Sequence, residues 1–557
     1  FDYIKSILKF PKNKIFQINH HLAHAASVYY TSGFKDSAIL IVDGNGTDLE
    51  TNSFYEGKGK NIKLIDKYKG RGIGVLYGAV SKEILNLGTG GEGKTMGLAP
   101  YGRKGNSILN FSGRKFKGIE TDYSNIMNRM PFTDIVSLNN QNPIAKFLSR
   151  KKKRPKYENI LNFKWKKIAY DLQNETEKCF IHLGKEISKK IKSKNICIAG
   201  GVALNSVANQ KLFDNSNYKN IFIYPACSDS GIPFGLAVWA LHNHQKFKDK
   251  NFKMKKILNA YSGKKYSNNS VIKLLEENKI KYKNLNLKEV SDYIAKGKII
   301  GWFQGGSEYG PRALGNRSIL ADSRNPKMKD IVNKRVKHRE EYRPFAPAII
   351  EEDYKKFFKL NQPSPFMLLV AKVKKAKIIP AVTHVDGTAR VQTVNYKQNK
   401  IFYDLIKNFK EKTGIGCILN TSFNDAGEPI VESPLDAIIT FLSCDMDFLV
   451  INDYLIDIKN LNYDLKTKLQ NKRIKKIKDN HNYLLKKFTK NYNLINKKEF
   501  IKKQEKFAYW NCLEKPSYDF EKEIIKLKKN KKNIILYGTY SHTKFLLKRF
   551  PNLNDLN

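Results

Sequence analysis

Three histidines, His20, His21 and His24, fall within the short run "HHLAH" of a 557-residue chain that holds ten histidines in all. The Ala- and Leu-rich "LAHAAS" predicts a helix. On a helix His20 and His24 stand four residues apart and share one face, while His21 points elsewhere. Such a pair can grip a metal ion. It is equally an ordinary polar patch on a helix, and two imidazoles do not close a site. Two aspartates are candidates to complete it. Asp43 ends the apolar run of "SAILIVDGNG", and Asp229 lies in "PACSDSGIPFG". Taken singly, each reads well as a turn aspartate beside glycine or serine. Taken together, a helix with His20 and His24, a strand-end Asp43 and a loop Asp229 before a small-residue helix would form a site of two imidazoles and two carboxylates. That donor set suits Fe, Mn or Zn, with open positions for substrate oxygens.

A second group of residues suits anions. Arg312 stands in "EYGPRALGNRSIL", Lys337 and Arg343 in "VNKRVKHREEYRPFAP", Arg390 in "HVDGTARVQTV", and Ser422 and Asn424 in "LNTSFNDAGEPIVESP". A solvated basic helix is the usual fate of such a run. Yet "RPFAPAII" turns at once into an apolar segment, which places Arg343 at the beginning of a strand. Arg390, after Asp-Gly-Thr-Ala, is likewise expected at a strand start. Guanidinium forks and a lysine point charge at element ends, with a Ser-x-Asn turn, match the oxygens of a small multivalent anion. In the first half, Gly200-Gly201 lets a strand turn sharply into a helix whose first N–H groups can face phosphate. Asn205, in the first turn of that helix, is placed to touch a nucleotide. Lys94 in "GEGKTMG" either neutralises a phosphate or is a solvated loop lysine.

The elements that must position these residues alternate between strand and helix. "SAILIVDGNG" and "TNSFYEGKG" read as a hairpin. Ile168, Leu172, Cys179, Leu183 and Ile187 keep helical spacing. "NICIAGGVALNSVANQKLF" and "NIFIYPACSDSGIPFGLAVWALHNH" each read as strand, turn, helix. The fold class is α/β. A chain of this length needs more than one core, and four stretches are expected. Residues 1–245 form a first domain, 246–260 a Lys-rich linker, and 261–460 a second mixed α/β domain. Residues 461–557 form a Lys-rich helical tail, closing on "NIILYGTYSHTKFLLKRF", which reads as the start of a Rossmann-like βα unit.

Composition excludes several classes. No apolar run approaches a membrane span, and no signal peptide is visible. The six cysteines form no Cys-x2-Cys pair, which argues for reduced thiols, a cytoplasmic protein and no thiolate zinc site. The formal charge of +49, from 101 Lys and Arg against 52 Asp and Glu, invites a nucleic-acid reading. The lysines are dispersed along the whole chain, however. The clusters "RKKKRPK" and "KNKKN" read as solvated loops, so nucleic acid is not expected as a partner.

"HHLAHAAS", "GEGKTMGLAPYG", "GGVALNSVANQKL" and "SDSGIPFGLA" resemble the NodU/CmcH O-carbamoyltransferases, and the second-half motifs resemble their YrdC-like domain. The resemblance covers roughly residues 15–460. It implies an actin-like, sugar-kinase-like first domain and a YrdC-like second domain. It implies that His20, His24, Asp43 and Asp229 hold a divalent metal, with Fe(II) expected, and that Gly200, Gly201, Asn205 and Lys94 serve nucleotide binding. It further implies that Lys337, Arg343 and Arg390 act on carbamoyl phosphate, with Arg312, Ser422 and Asn424 binding substrate or nucleotide. ATP is the expected co-substrate, with Mg2+. The resembled family opens with a strand hairpin that has no counterpart before Phe1, so the first domain is expected to be N-terminally incomplete.

The function these observations imply is ATP-dependent O-carbamoyl transfer. Carbamoyl-adenylate would be formed from carbamoyl phosphate and ATP, and the carbamoyl group moved to a hydroxyl of a sugar, glycan or natural product. A tRNA threonylcarbamoyladenosine-type enzyme shares both domain types and is the alternative. A non-catalytic nucleotide-binding protein is a third reading. No membrane partner is expected, and a homo-oligomer is left open.

Overall fold

The computed structural model describes residues 16–88, 90–130, 160–244, 255–461, 464–465 and 467–471. Its first half is built on a five-stranded sheet in the spatial order 61–69, 50–58, 36–42, 195–199, 220–223. The first three strands are antiparallel neighbours, and 36–42, 195–199 and 220–223 run parallel. Strand Asp36–Val42 is buried on both faces from its second residue onward, as its unbroken Ala-Ile-Leu-Ile-Val run demands. The carboxyl ends of the parallel strands therefore open at one edge. They lead into Asp43, into Gly200-Gly201, and into the loop that carries Asp229. Crevices of open α/β sheets characteristically lie at such strand ends.

Helix His20–Ser32 starts where Asn19 caps it, the Asn19 Oδ1 accepting from Leu22 N at 3.0 Å, and stops at Gly33 in the left-handed region. It packs against helix Ile232–Asn243 so closely that a Cβ on Gly235 would overlap Ala23 O. The small residues of "LAHAAS" and "FGLA" permit that approach. Helix Phe163–Lys190 buries Ile168, Leu172, Cys179, Leu183 and Ile187 as their spacing predicts.

The second half carries an eight-stranded mixed sheet in the order 392–394, 346–350, 417–422, 317–321, 300–303, 448–451, 454–457, 283–284. A small three-stranded sheet, 358–359, 370–373 and 388–390, lies beside it. The halves meet through polar contacts as well as apolar ones. The Gln362 amide donates to Ile221 O at 2.8 Å and accepts from Ile221 N at 3.1 Å, closing the sheet edge at strand 220–223. Asn209 Nδ2 donates to Leu368 O at 3.1 Å, and Lys329 Nζ to Tyr101 OH at 3.3 Å.

Three expectations are modified. Residues 255–260 are irregular, and Ile257 N donates to Thr31 O, which ties the end of the linker to the first domain. The packed body does not stop at 460, because Leu469 is fully buried in the core and Gln470 donates to Ser443 Oγ at 3.5 Å. Arg390 closes its strand, Thr388–Arg390, instead of opening it. Residues 472–557, with the expected βα unit, lie outside the described residues, as do 246–254, the two basic clusters and Cys512. The five described cysteines are buried. Among the described residues no helix is long and apolar enough to cross a membrane.

Leu469 is the test of where the body ends. Truncating a buried leucine costs about 2–4 kcal/mol, whereas the exposed neighbour Lys468 should cost less than about 0.5 kcal/mol. Urea melts of Leu469→Ala and Lys468→Ala should differ by that margin. Equal midpoints would remove Leu469 from the core.

Candidate metal centre and anion site

His20 and His24 point their Nε2 atoms to one place, 3.1 Å apart. Each lies 3.0 Å from Asp43 Oδ2, and 3.4 and 3.7 Å respectively from Asp229 Oδ1. One donor atom from each of the four residues lies within 4.8 Å of the others. His20, His24 and Asp43 are buried, while the Asp229 side chain is half exposed. The backbone fixes Asp43. Its Oδ1 accepts from Gly44 N at 2.8 Å and Gly201 N at 3.0 Å, leaving Oδ2 for the imidazoles. Gly200 stands at φ +96, where a Cβ would collide with Val42 O, so glycine is required there to deliver the Gly201 N–H. His21 turns away and binds Ser53 Oγ at 2.7 Å, outside the four-residue cluster.

Protonation reflects this geometry. Burial opposes charge on His20, but hydrogen bonds with Asp229 and Asp43 outweigh it and raise the imidazole to about 9. His24 is raised by the same carboxylates against its own burial. Burial works against the Asp43 carboxylate, yet the two imidazoles hold it well below the usual range. His21 lacks a carboxylate partner, and burial lowers it to about 3. The imidazole nitrogens and carboxylate oxygens thus face a common point. A donor set of two nitrogens and two hard oxygens, converging in this way, fits a divalent transition metal ion.

The second cluster gathers cations around the loop before strand Arg317–Ala321. Arg312 and Arg390 make no hydrogen bond or ion pair among the described residues, and the Nε of each is buried without a partner. Burial depresses Arg390 far below the usual guanidinium range, and Arg312, Arg339 and Arg343 push it further. Arg312 is lowered by burial and then by Arg343. A guanidinium does not surrender its proton in a protein. Arg390 therefore keeps its charge against both burial and the neighbouring arginines. Lys337 plays a different part from the one its type suggests. Its Nζ lies against Ser422 O at 2.9 Å, Ser422 Oγ at 3.3 Å, and Asn424 O and Oδ1 both at 2.6 Å. With its hydrogens shared among four protein oxygens, it shapes the Ser-x-Asn turn.

Several predicted residues sit elsewhere than expected. Asn205 caps helix Ser206–Asp214, its Oδ1 accepting from Ala208 N, and its amide also exchanges hydrogen bonds with Gln173. Gly201 serves Asp43 with its N–H. Lys94 pairs across the domains with Glu340 at 3.1 Å, and Arg343 meets the same carboxylate at 3.4 Å. Burial works against the charge of Glu340. Its own backbone N–H, Lys94 and Arg343 outweigh that and keep its carboxyl low. Sequence reasoning passed over Arg339 and Glu340. The signal was present, because "HREEYR" interleaves carboxylates with the arginines.

Two family models match the chain: Carbamoyltransferase N-terminus over residues 3–238 and Carbamoyltransferase C-terminus over 291–458. The chain belongs to the carbamoyltransferase family. Among its relatives, an uncharacterized protein of Synechocystis sp. is 34% identical over 78% of this chain and 75% of its own length. Nodulation protein NolO of Bradyrhizobium diazoefficiens is 35% identical over 79% of this chain and 78% of its own. The 3'-hydroxymethylcephem-O-carbamoyltransferase of Amycolatopsis lactamdurans is 32% identical over 46% of this chain and 47% of its own. In this carbamoyltransferase the four-donor cluster belongs to the N-terminal match, and the guanidinium cluster to the C-terminal one.

Metal uptake should displace the protons now held between His20, His24 and the carboxylates. Titration of the metal-free enzyme with Co(II) at pH 7 should release about one to two protons per ion, read with an indicator dye in weak buffer. His20→Ala should abolish both metal retention and proton release. Unchanged metal content in that variant would misplace the centre.

Proposed function

We propose that the enzyme is an ATP-dependent O-carbamoyltransferase. In this reading the guanidinium cluster binds carbamoyl phosphate and the phosphates of ATP, the latter with Mg2+. Carbamoyl phosphate loses its phosphate to water, and the resulting carbamate attacks the α-phosphorus of ATP. Pyrophosphate leaves and carbamoyl-adenylate remains. The carbamoyl group then passes to a hydroxyl of a small molecule or glycan at the four-donor cluster, and AMP is released. The observation that carries the donor half is the pair of half-buried arginines, Arg312 and Arg390, each with a buried Nε that has no partner among the described residues.

For the acceptor half, His20, His24, Asp43 and Asp229 would hold the metal, with Fe(II) proposed. When bound, the ion would polarise the carbamoyl carbonyl and offset negative charge. The residues themselves orient the group: Asp43 is immobilised by two backbone N–H groups, and the half-exposed Asp229 borders the opening. We also propose that the first sheet is of the actin-like, sugar-kinase-like kind. Three antiparallel strands continued by two parallel ones support it. The second domain is proposed to be YrdC-like.

Each guanidinium that meets the anion contributes a charge-assisted hydrogen bond, of about 1.5–3 kcal/mol, so its loss should slow turnover roughly ten- to hundredfold. Arg312→Ala and Arg390→Ala should each do so, read as pyrophosphate release from ATP with carbamoyl phosphate varied and no acceptor present. Arg343→Ala should cost less, because Arg343 already shares Glu340. Near wild-type release in both Arg312→Ala and Arg390→Ala would make the cluster a structural one and end this reading.

A further inference from the structure

Asp43 and Asp229 are held by different means. Two backbone N–H groups grip the Asp43 carboxylate. Among the described residues the Asp229 carboxylate meets only the imidazoles of His20 and His24. Its position therefore comes from the loop that carries it. Within the first domain that loop, residues 224–231, is held where Gly200 N donates to Cys227 O at 2.9 Å and by helix Ile232–Asn243, which follows it and packs on helix His20–Ser32. A further anchor lies on the other side of Asp229, and it comes from the second domain. Tyr309 OH donates to Ser230 O. The Tyr309 ring stands edge-on to Tyr224, with centroids 6.1 Å apart, and its backbone N–H is tied to Ala260 O at 2.6 Å. Gly310, at φ +126, lies so close to the same loop that a Cβ would stand 2.7 Å from Pro225 O.

The segment bearing these residues is itself stiff. The carboxylate of Glu308 accepts from Leu314 N at 2.7 Å, Asn316 N at 2.8 Å and Arg317 N at 3.2 Å. Arg312 of the anion cluster projects from this same loop.

We propose that Tyr309 is a positioning residue for metal binding: the second domain completes the first domain's metal centre by fixing the loop of Asp229. This rests on the reading of Asp229 as a ligand. His20, His24 and Asp43 are built wholly within the first domain, whereas the loop of the fourth donor, residues 224–231, also rests against Tyr309 and Gly310 of the second.

The test is a Co(II) titration of the metal-free full-length enzyme, followed by visible absorption, for Tyr309→Phe, Gly310→Ala and Asp229→Asn. Losing one neutral hydrogen bond should weaken Co(II) binding about fivefold in Tyr309→Phe. Gly310→Ala, which forces the loop away, should weaken it at least as much. The metal concentration giving half-maximal carbamoyl transfer should rise by the same factor, with kcat regained at saturating metal. A purely structural role would lower kcat without moving that midpoint. If Asp229→Asn binds Co(II) as tightly as the native chain, the metal assignment itself fails. If Asp229→Asn loses binding while Tyr309→Phe and Gly310→Ala keep native affinity, the assignment stands and the positioning role of Tyr309 is overturned. Should Gly310→Ala fail to fold, Tyr309→Phe decides alone.

Discussion

The four-donor cluster depends on how one carboxylate is shared. Asp43 gives one oxygen to two backbone N–H groups and the other to two imidazoles. Each half of that arrangement has its own structural requirement. The N–H groups need Gly200 in a left-handed conformation at the end of one strand, alongside Asp43 at the end of its parallel neighbour. The imidazoles need a helix that lies close over the sheet, which small residues on two facing helices allow. A carboxylate buried to this degree would be costly if any of these partners were absent. The requirement for a rigid, fully bonded Asp43 thus explains the glycine pair, the alanine-rich helix and the parallel strand pairing together.

The second domain works on the opposite principle. Its cations are left short of counter-charge. Arg312 and Arg390 are half-buried with no carboxylate partner among the described residues, and further arginines lie near them. Such a cluster destabilises the fold unless an anion relieves it. Glu340 supplies part of the deficit, and it does so while also drawing Lys94 from the first domain. One carboxylate therefore ties the domain interface to the edge of the cation cluster. A phosphate entering there would compete with Glu340 for Arg343, though not for Arg390.

The sequence was most legible where function depends on local geometry. His20 and His24 could be paired because helical periodicity alone puts them on one face. Asp43 and Asp229 were harder, since each is an ordinary turn aspartate until the strand order brings the ends of 36–42, 195–199 and 220–223 to one edge. Gly200-Gly201 was recognised as a turn, but the direction of the Gly201 N–H follows from the parallel pairing and not from the motif. Asn205 shows the same limit: its partner Gln173 lies on a distant helix, and nothing local reveals that pairing. Lys337 carries the charge expected of a phosphate ligand, yet burial beside Ser422 and Asn424 commits it to their oxygens. Leu469 was hidden by composition: one apolar residue in a Lys-rich stretch has no periodicity to report it.

Proximity between the two centres has a physical consequence. The loop of residues 224–231 carries Asp229 on one side, and Cys227 within it lies near enough to feel both Asp43 and Arg312 electrostatically. The loop of residues 308–316 carries Arg312 and touches the first loop through Tyr309 and Gly310. Two loops packed on each other supply that proximity without a moving part. Their stiffness has separate sources, the Glu308 carboxylate in one and the Gly200 and Tyr309 anchors in the other. Each cluster is then held by its own hydrogen bonds, while the contact between the loops fixes how the two clusters sit relative to one another.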